Sequence, residues 1–208
     1  MNMLKIFSFA VSLLLVVSSQ VSAFTISPQD SGTLLSGGLN VDNGYVAYLS
    51  TDNNTQGVQI SSGNNWTSTY SFSGISLDAG QDYFLHIYAY DQGWIAGFLG
   101  EFNLTGTDHV FSNGQTNLTT NTTDWDVSTV GWSDYQAASS LGNNGVWPWY
   151  NRPAVSSSAE WIWSDDAYND DYTYFTTAIS SSAVPEPSSL FLLGLGFAGL
   201  MLVRKKNK

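Results

Sequence analysis

The tightest constraint on what this chain can fold into lies in residues 82–90. In an extended segment Tyr83, Leu85, Ile87 and Ala89 fall on one face, and Phe84, His86, Tyr88 and Tyr90 on the other. A strand that is largely apolar on both faces belongs inside a sheet. An opposing sheet covers one side, and aromatics, loops or a ligand cover the other. Trp94, Ala96, Phe98, Phe102 and Leu104 likewise share a face, with Gly97 and Gly100 permitting close backbone approach or a bulge. The same alternation, punctuated by Asn- and Gly-rich turns such as Asp52-Asn53-Asn54 and Gly142-Asn143-Asn144-Gly145, predicts strands at residues 24–27, 45–50, 57–60, 69–75, 82–90, 95–104, 124–130, 159–163 and 172–179. Helical spacing is confined to two apolar runs at the ends. The fold expected is all-β, a sandwich of about nine strands.

Charge narrows the function. Of the six Lys and Arg in the 208 residues, Lys5 precedes the first apolar run, and Arg204, Lys205, Lys206 and Lys208 follow the second. Residues 24–183 therefore hold Arg152 as their one cation against 16 carboxylates, or 1 − 16 = −15. Such a field repels nucleic-acid phosphates and attracts cations, so no nucleic-acid partner is expected. Cysteine is absent, which removes thiolate metal sites, nucleophilic thiols and disulfides. Stability must come from packing, for which 8 Trp, 11 Tyr and 11 Phe supply the area.

The ends read as handling signals. Lys5, the apolar run of residues 6–17 and the small-residue site Val21-Ser22-Ala23 predict a signal peptide at residues 1–23, helical in the membrane and cleaved before Phe24. Residues 24–183 form the expected extracytoplasmic domain. Residues 184–208 form a tail in which Val184-Pro185-Glu186-Pro187-Ser188 precedes an apolar stretch at 190–203 and a basic end. That stretch predicts a single transmembrane helix. It would be about 21 Å long, short for a hydrocarbon core of about 30 Å, with Arg204 and Lys205 snorkelling to cover some of the difference. The order of motif, short helix and basic flank resembles the PEP-CTERM sorting family. The resemblance implies that Pro185, Glu186 and Pro187 are recognised by an exosortase-like processing enzyme. It also implies transient anchoring in the inner membrane of a Gram-negative, exopolysaccharide-producing bacterium, then transfer to the cell surface or extracellular matrix. A permanent tail anchor is the alternative.

In the central region Asp42-Asn43-Gly44-Tyr45, Asn65-Trp66, residues 77–80 before the strand at 83–90, Trp147-Pro148-Trp149 and residues 159–163 resemble the galactose-binding-like jelly roll, which implies a jelly-roll type of sandwich. Ser50-Thr51-Asp52 departs from that pattern where an Asn-Gly turn is usual. Candidate carbohydrate contacts are Trp147 and Trp149, in a Gly/Asn/Pro-rich loop where planar rings would stack on sugar faces, together with Asp42 and Asn43. Packing is the alternative for each Trp, and a turn or Asx cap for Asp42 and Asn43. Trp161 and Trp163 read as core. Asp165, Asp166, Asp170 and Asp171 form a candidate calcium set, the sole cofactor expectation, with a solvated hairpin loop as the alternative. His86 and His109 belong to no metal-ligand spacing or nucleophile elbow, so no catalytic residue is assigned. A non-catalytic exported protein associated with exopolysaccharide or another glycan is the first expectation. A structural adhesin without a pocket and a glycan-active hydrolase are the alternatives.

Overall fold

The computed structural model describes residues 32–182. The expected signal peptide, the strand at 24–27 and the sorting tail with its helix at 190–203 lie outside the described residues. Within them the chain is all-β and forms two antiparallel sheets. No helix among the described residues is long and apolar enough to cross a membrane.

Thirteen strands are present among the described residues, more than the nine expected. In chain order they are β1 (Leu34–Asp42), β2 (Gly44–Ser50), β3 (Val58–Gly63), β4 (Tyr70–Ser76), β5 (Tyr83–Tyr90), β6 (Gly97–Thr105), β7 (His109–Phe111), β8 (Asn117–Thr119), β9 (Asp126–Ser128), β10 (Gln136–Ala137), β11 (Ser139–Asn143), β12 (Glu160–Trp163) and β13 (Tyr172–Ser181). One sheet runs β11-β12-β6-β1-β4, with β8 also on β6. The other runs β10-β9-β13-β5-β2-β3, with β7 also on β13. The chain passes from one sheet to the other at most connections, as a sandwich with few local hairpins requires.

The strand at 82–90 is β5, and it lies inside its sheet. β13 pairs along it from Tyr172 opposite Tyr90 to Ile179 opposite Tyr83, and β2 pairs along its other edge from Gly44 to Ser50. Its inward residues Leu85, Ile87 and Ala89 are wholly buried. They meet Leu35, Leu39, Phe98 and Phe102 of the opposite sheet in a continuous core. Aromatic rings fill the middle of that core: Phe98 lies 5.0 Å from Phe175 and 5.2 Å, edge to face, from Trp125.

β1 is absent from the strands expected from sequence, and its Ser36-Gly37-Gly38 run has the composition common in turns. Here it pairs with β6 along its whole length and with β4 on its other edge. Packing explains the glycine. A Cβ at Gly37 would stand 2.4 Å from the Phe102 ring, so the missing side chain admits an aromatic over the strand.

Candidate functional site

A second hydrophobic cluster lies apart from the main core, built from Leu99, Trp149, Val155, Ala159 and Trp161. The roof is the segment 144–156, which returns over the sheet between β11 and β12. Asn144 holds it in shape. Its Nδ2 donates to the carbonyls of Arg152 and Val155 at 3.0 and 2.8 Å, while its Oδ1 accepts the Arg152 N–H at 2.8 Å. Glu101 of β6 adds a tether by accepting the Ser156 N–H at 2.8 Å. Beneath this roof the indoles of Trp149 and Trp161 stack, with centroids 4.5 Å apart and planes 18° from parallel. They lie on the backbone of Gly97, where a Cβ would stand 2.8 Å from one ring and 3.0 Å from the other.

Trp149 is therefore buried, as the packing alternative holds, yet it reaches the other end of the sequence pattern. Its Nε1 donates to Asp42 Oδ2 at 2.8 Å across 107 residues. Asp42 is the last residue of β1. Burial drives its carboxyl pKa up to about 6. The Trp149 hydrogen bond opposes that shift, the nearby Asp91 carboxylate reinforces it, and Arg152 draws it down. No hydrogen bond from the described residues reaches Asp42 Oδ1. Arg152 is occupied elsewhere: its Nη1 donates to Thr67 O at 3.1 Å, and its guanidinium lies 5.5 Å over the Trp66 ring.

Asn43 acts as a clamp for the neighbouring turn. Its N–H donates to Tyr90 O at 2.7 Å, and its Oδ1 accepts the Gln92 N–H. In that turn Asp91 is 6% exposed. Its Oδ2 accepts the Gly93 N–H at 2.9 Å, whereas Oδ1 is buried with no partner. Farther along the same turn, Trp94 has φ of 86°, a left-handed conformation that bulky side chains seldom adopt. The sequence places Trp94 on the β6 face with Ala96 and Phe98. It instead precedes that strand, is 58% exposed, and meets Trp147, itself 59% exposed, edge to face at 5.2 Å. Tyr150, in the same segment as Trp147, is also exposed with positive φ. Strained backbone that presents exposed aromatics marks a site to examine for binding.

Trp149, Asp42 and Asn43, three of the four carbohydrate candidates, thus adjoin one another. Trp149 and Asp42 are bonded to each other, Asn43 shapes the adjoining turn, and the fourth, Trp147, stands exposed two residues before Trp149. Trp94 and Asp91 complete the group. A signal for them existed in Asp91-Gln92-Gly93-Trp94, a turn-forming run between two strands.

The acidic segment after β12 lies at the same end, since Asp171 O accepts the Asp91 N–H at 2.8 Å and Ala167 O accepts the Ala96 N–H at 2.9 Å. Its carboxylates, Asp165, Asp166, Asp170 and Asp171, do not assemble the expected calcium set. Both Asp166 oxygens accept from Asn169 Nδ2, and Asp170 Oδ2 accepts from Ser164 Oγ at 2.6 Å. Among the described residues, no three His, Cys, Asp or Glu side chains gather where they would hold a metal ion. These bonds tie three of the segment's eight carboxylate oxygens into local turns.

The two histidines are packed. His109 bridges Thr33 Oγ1 and Gln81 O, both at 2.9 Å. His86 lies between Gln56 O and Asn53 Oδ1 and stacks on Trp132 at 4.4 Å, with its pKa pushed down by burial.

No curated protein and no solved structure matches the chain, so the galactose-binding-like resemblance gains no support. The PEP-CTERM protein-sorting motif matches residues 183–206, immediately after the described sandwich, and marks the chain as an exported protein sorted by an exosortase.

Proposed function

We propose that this chain is a non-catalytic glycan-binding protein of the cell surface or extracellular matrix of a Gram-negative bacterium. Its tail holds it transiently in the inner membrane through residues 190–203, with Pro185, Glu186 and Pro187 read by the exosortase, before it joins exopolysaccharide outside the cell. The observation that carries the binding reading is the exposed Trp94–Trp147 pair, raised on a strained turn beside the half-buried carboxylate of Asp42. Flat indoles offer apolar area to the C–H faces of sugar rings, and a carboxylate with one open oxygen accepts from hydroxyl or amine donors.

A glycan array probed with the mature protein, followed by tryptophan-fluorescence titration with and without calcium, tests this. Binding to at least one polysaccharide is expected, with loss of about tenfold or more on replacing Trp94 and Trp147 together by Ala. That loss corresponds to about 1.4 kcal/mol. Undiminished binding by the double variant defeats the assignment of the site. Release of new sugar ends from a bound polysaccharide, abolished by Asp42→Asn, replaces it with the hydrolase reading.

A further inference from the structure

We propose that the Trp94–Trp147 site selects glycans bearing free amino groups, a polysaccharide containing de-N-acetylated hexosamine, whose ammonium is received at Asp42 with Asp91 behind it. The inference rests on the glycan-binding reading above and adds the chemical class of the ligand.

Three observations converge. The first is charge: residues 32–182 contain 15 carboxylates and one cation, Arg152. That field opposes uronate- or phosphate-bearing chains and draws in cationic ones. Arg152, bonded to Thr67 O and lying over the Trp66 face, still acts on Asp42 through space, but it is one cation beside two carboxylates, Asp42 and Asp91. The second is local polarity. Asp42 Oδ1 receives no hydrogen bond from the described residues, and Asp91 is buried with Oδ1 unpartnered. A buried carboxylate oxygen without a donor is costly, and a nearby cation lowers that cost. A neutral sugar would offer Asp42 a hydroxyl but leave the charge of the two carboxylates only partly offset, by Arg152. The third is the ring pair itself, since indole faces attract ammonium groups as well as sugar C–H faces.

A divalent metal would satisfy the charge less well. Calcium takes six to eight oxygen ligands, and no three acidic groups gather among the described residues. A compact ammonium with three donors needs only the two carboxylates and the rings.

The test titrates the mature protein with a glucosamine oligomer, the same oligomer re-acetylated, and an oligo-uronate of equal length, at a pH above the Asp42 value of about 6, where its carboxyl is ionised, yet low enough to keep amines protonated. The amine form is expected to bind about tenfold or more tightly than the acetylated form, the size of one charge-assisted hydrogen bond, with no binding of the uronate. Asp42→Asn and Asp91→Asn should each reduce that preference severalfold. Their folding is checked by melting, and Asp42→Asn alone suffices if the more buried Asp91 variant does not fold.

A general attraction of polycations to an acidic protein is separated by Asp78→Asn. Asp78 is exposed and precedes β5, whereas Asp91 follows that strand, about 26 Å of extended chain away. The Asp78 variant should keep the full preference. If it loses as much as Asp42→Asn does, the overall field is responsible and the proposal falls. Equal or tighter binding of the acetylated oligomer, lost in the Trp94/Trp147 double variant, overturns amine selection while leaving glycan binding intact. Failure of every saccharide to bind here and on the array overturns both readings.

Discussion

The sandwich carries aromatic rings on the outside of both sheets, and the two sets are treated differently. Over the β12-β6-β1 sheet, Trp149 and Trp161 lie nearly parallel and fully buried beneath a loop pinned by Asn144. On the β13-β5-β2 sheet, Tyr48, His86 and Tyr174 surround Trp132, which stacks on His86 and meets Tyr48 and Tyr174 edge to face at 6.0 and 5.0 Å, and Tyr88 packs on Tyr174 at 5.2 Å. That second set is covered, among the described residues, by the shorter segment that carries Trp132, and it stays half-buried except for His86. A long loop converts one outer face into a second small core and frees the residues at its rim, Trp147 and Tyr150, to stand in solvent. Where only a turn is available, the aromatics cover one another.

If the first face is a true core, removing a ring from it should cost far more than removing the roof of the second. Trp161→Ala should lower stability by about 3–5 kcal/mol, the range for truncating a buried large aromatic, read from urea unfolding. Gly97→Ala should cost about 1–3 kcal/mol, since its methyl group has no space between backbone and indoles. Trp132→Ala should cost less than Trp161→Ala, about 1–2 kcal/mol, because the ring begins half-exposed. A Trp132 variant as damaging as Trp161→Ala would erase the distinction between the faces.

The last effect expected concerns pH. The folded-state pKa of Asp42 is raised from 3.8 to about 6, chiefly by burial, so the folded protein holds this proton more firmly than the unfolded chain. The stability it contributes is fully present below the unfolded value and lost as pH rises through about 6. Asp42→Asn removes that dependence and preserves an oxygen for Trp149. The melting temperature of the wild type relative to the variant should therefore fall between about pH 4 and pH 7. A flat difference over that interval would show that Asp42 is solvated in the folded protein, and a rising one that its carboxylate is held by a cation or donors.

What could be read from the sequence followed from how local each signal is. β5 was legible because its alternation is complete within eight residues and both of its faces are apolar. β1 was hidden because Gly37 serves a ring from β6, a distant contact that looks locally like a turn. The two-residue β10 and three-residue β7 and β8 exist through pairing with longer strands and carry too few residues to show a period. At the site, the indole of Trp147 was recognisable by its loop composition, but the bond between Trp149 and Asp42 spans most of the domain. Trp94 continues the β6 alternation on paper. The positive φ angles of Gly93 and Trp94 break the phase and turn the ring outward.

β13 gives the join between body and tail a mechanical character. This strand is held by β5 on one side and by β9 and β7 on the other, it ends at Ser181, and the sorting motif begins at residue 183. With so little chain between them, traction on the tail is delivered to the end of the strand, and the component along the strand axis loads it lengthwise. The ladders on both flanks would then resist it together in shear, and would not unzip rung by rung.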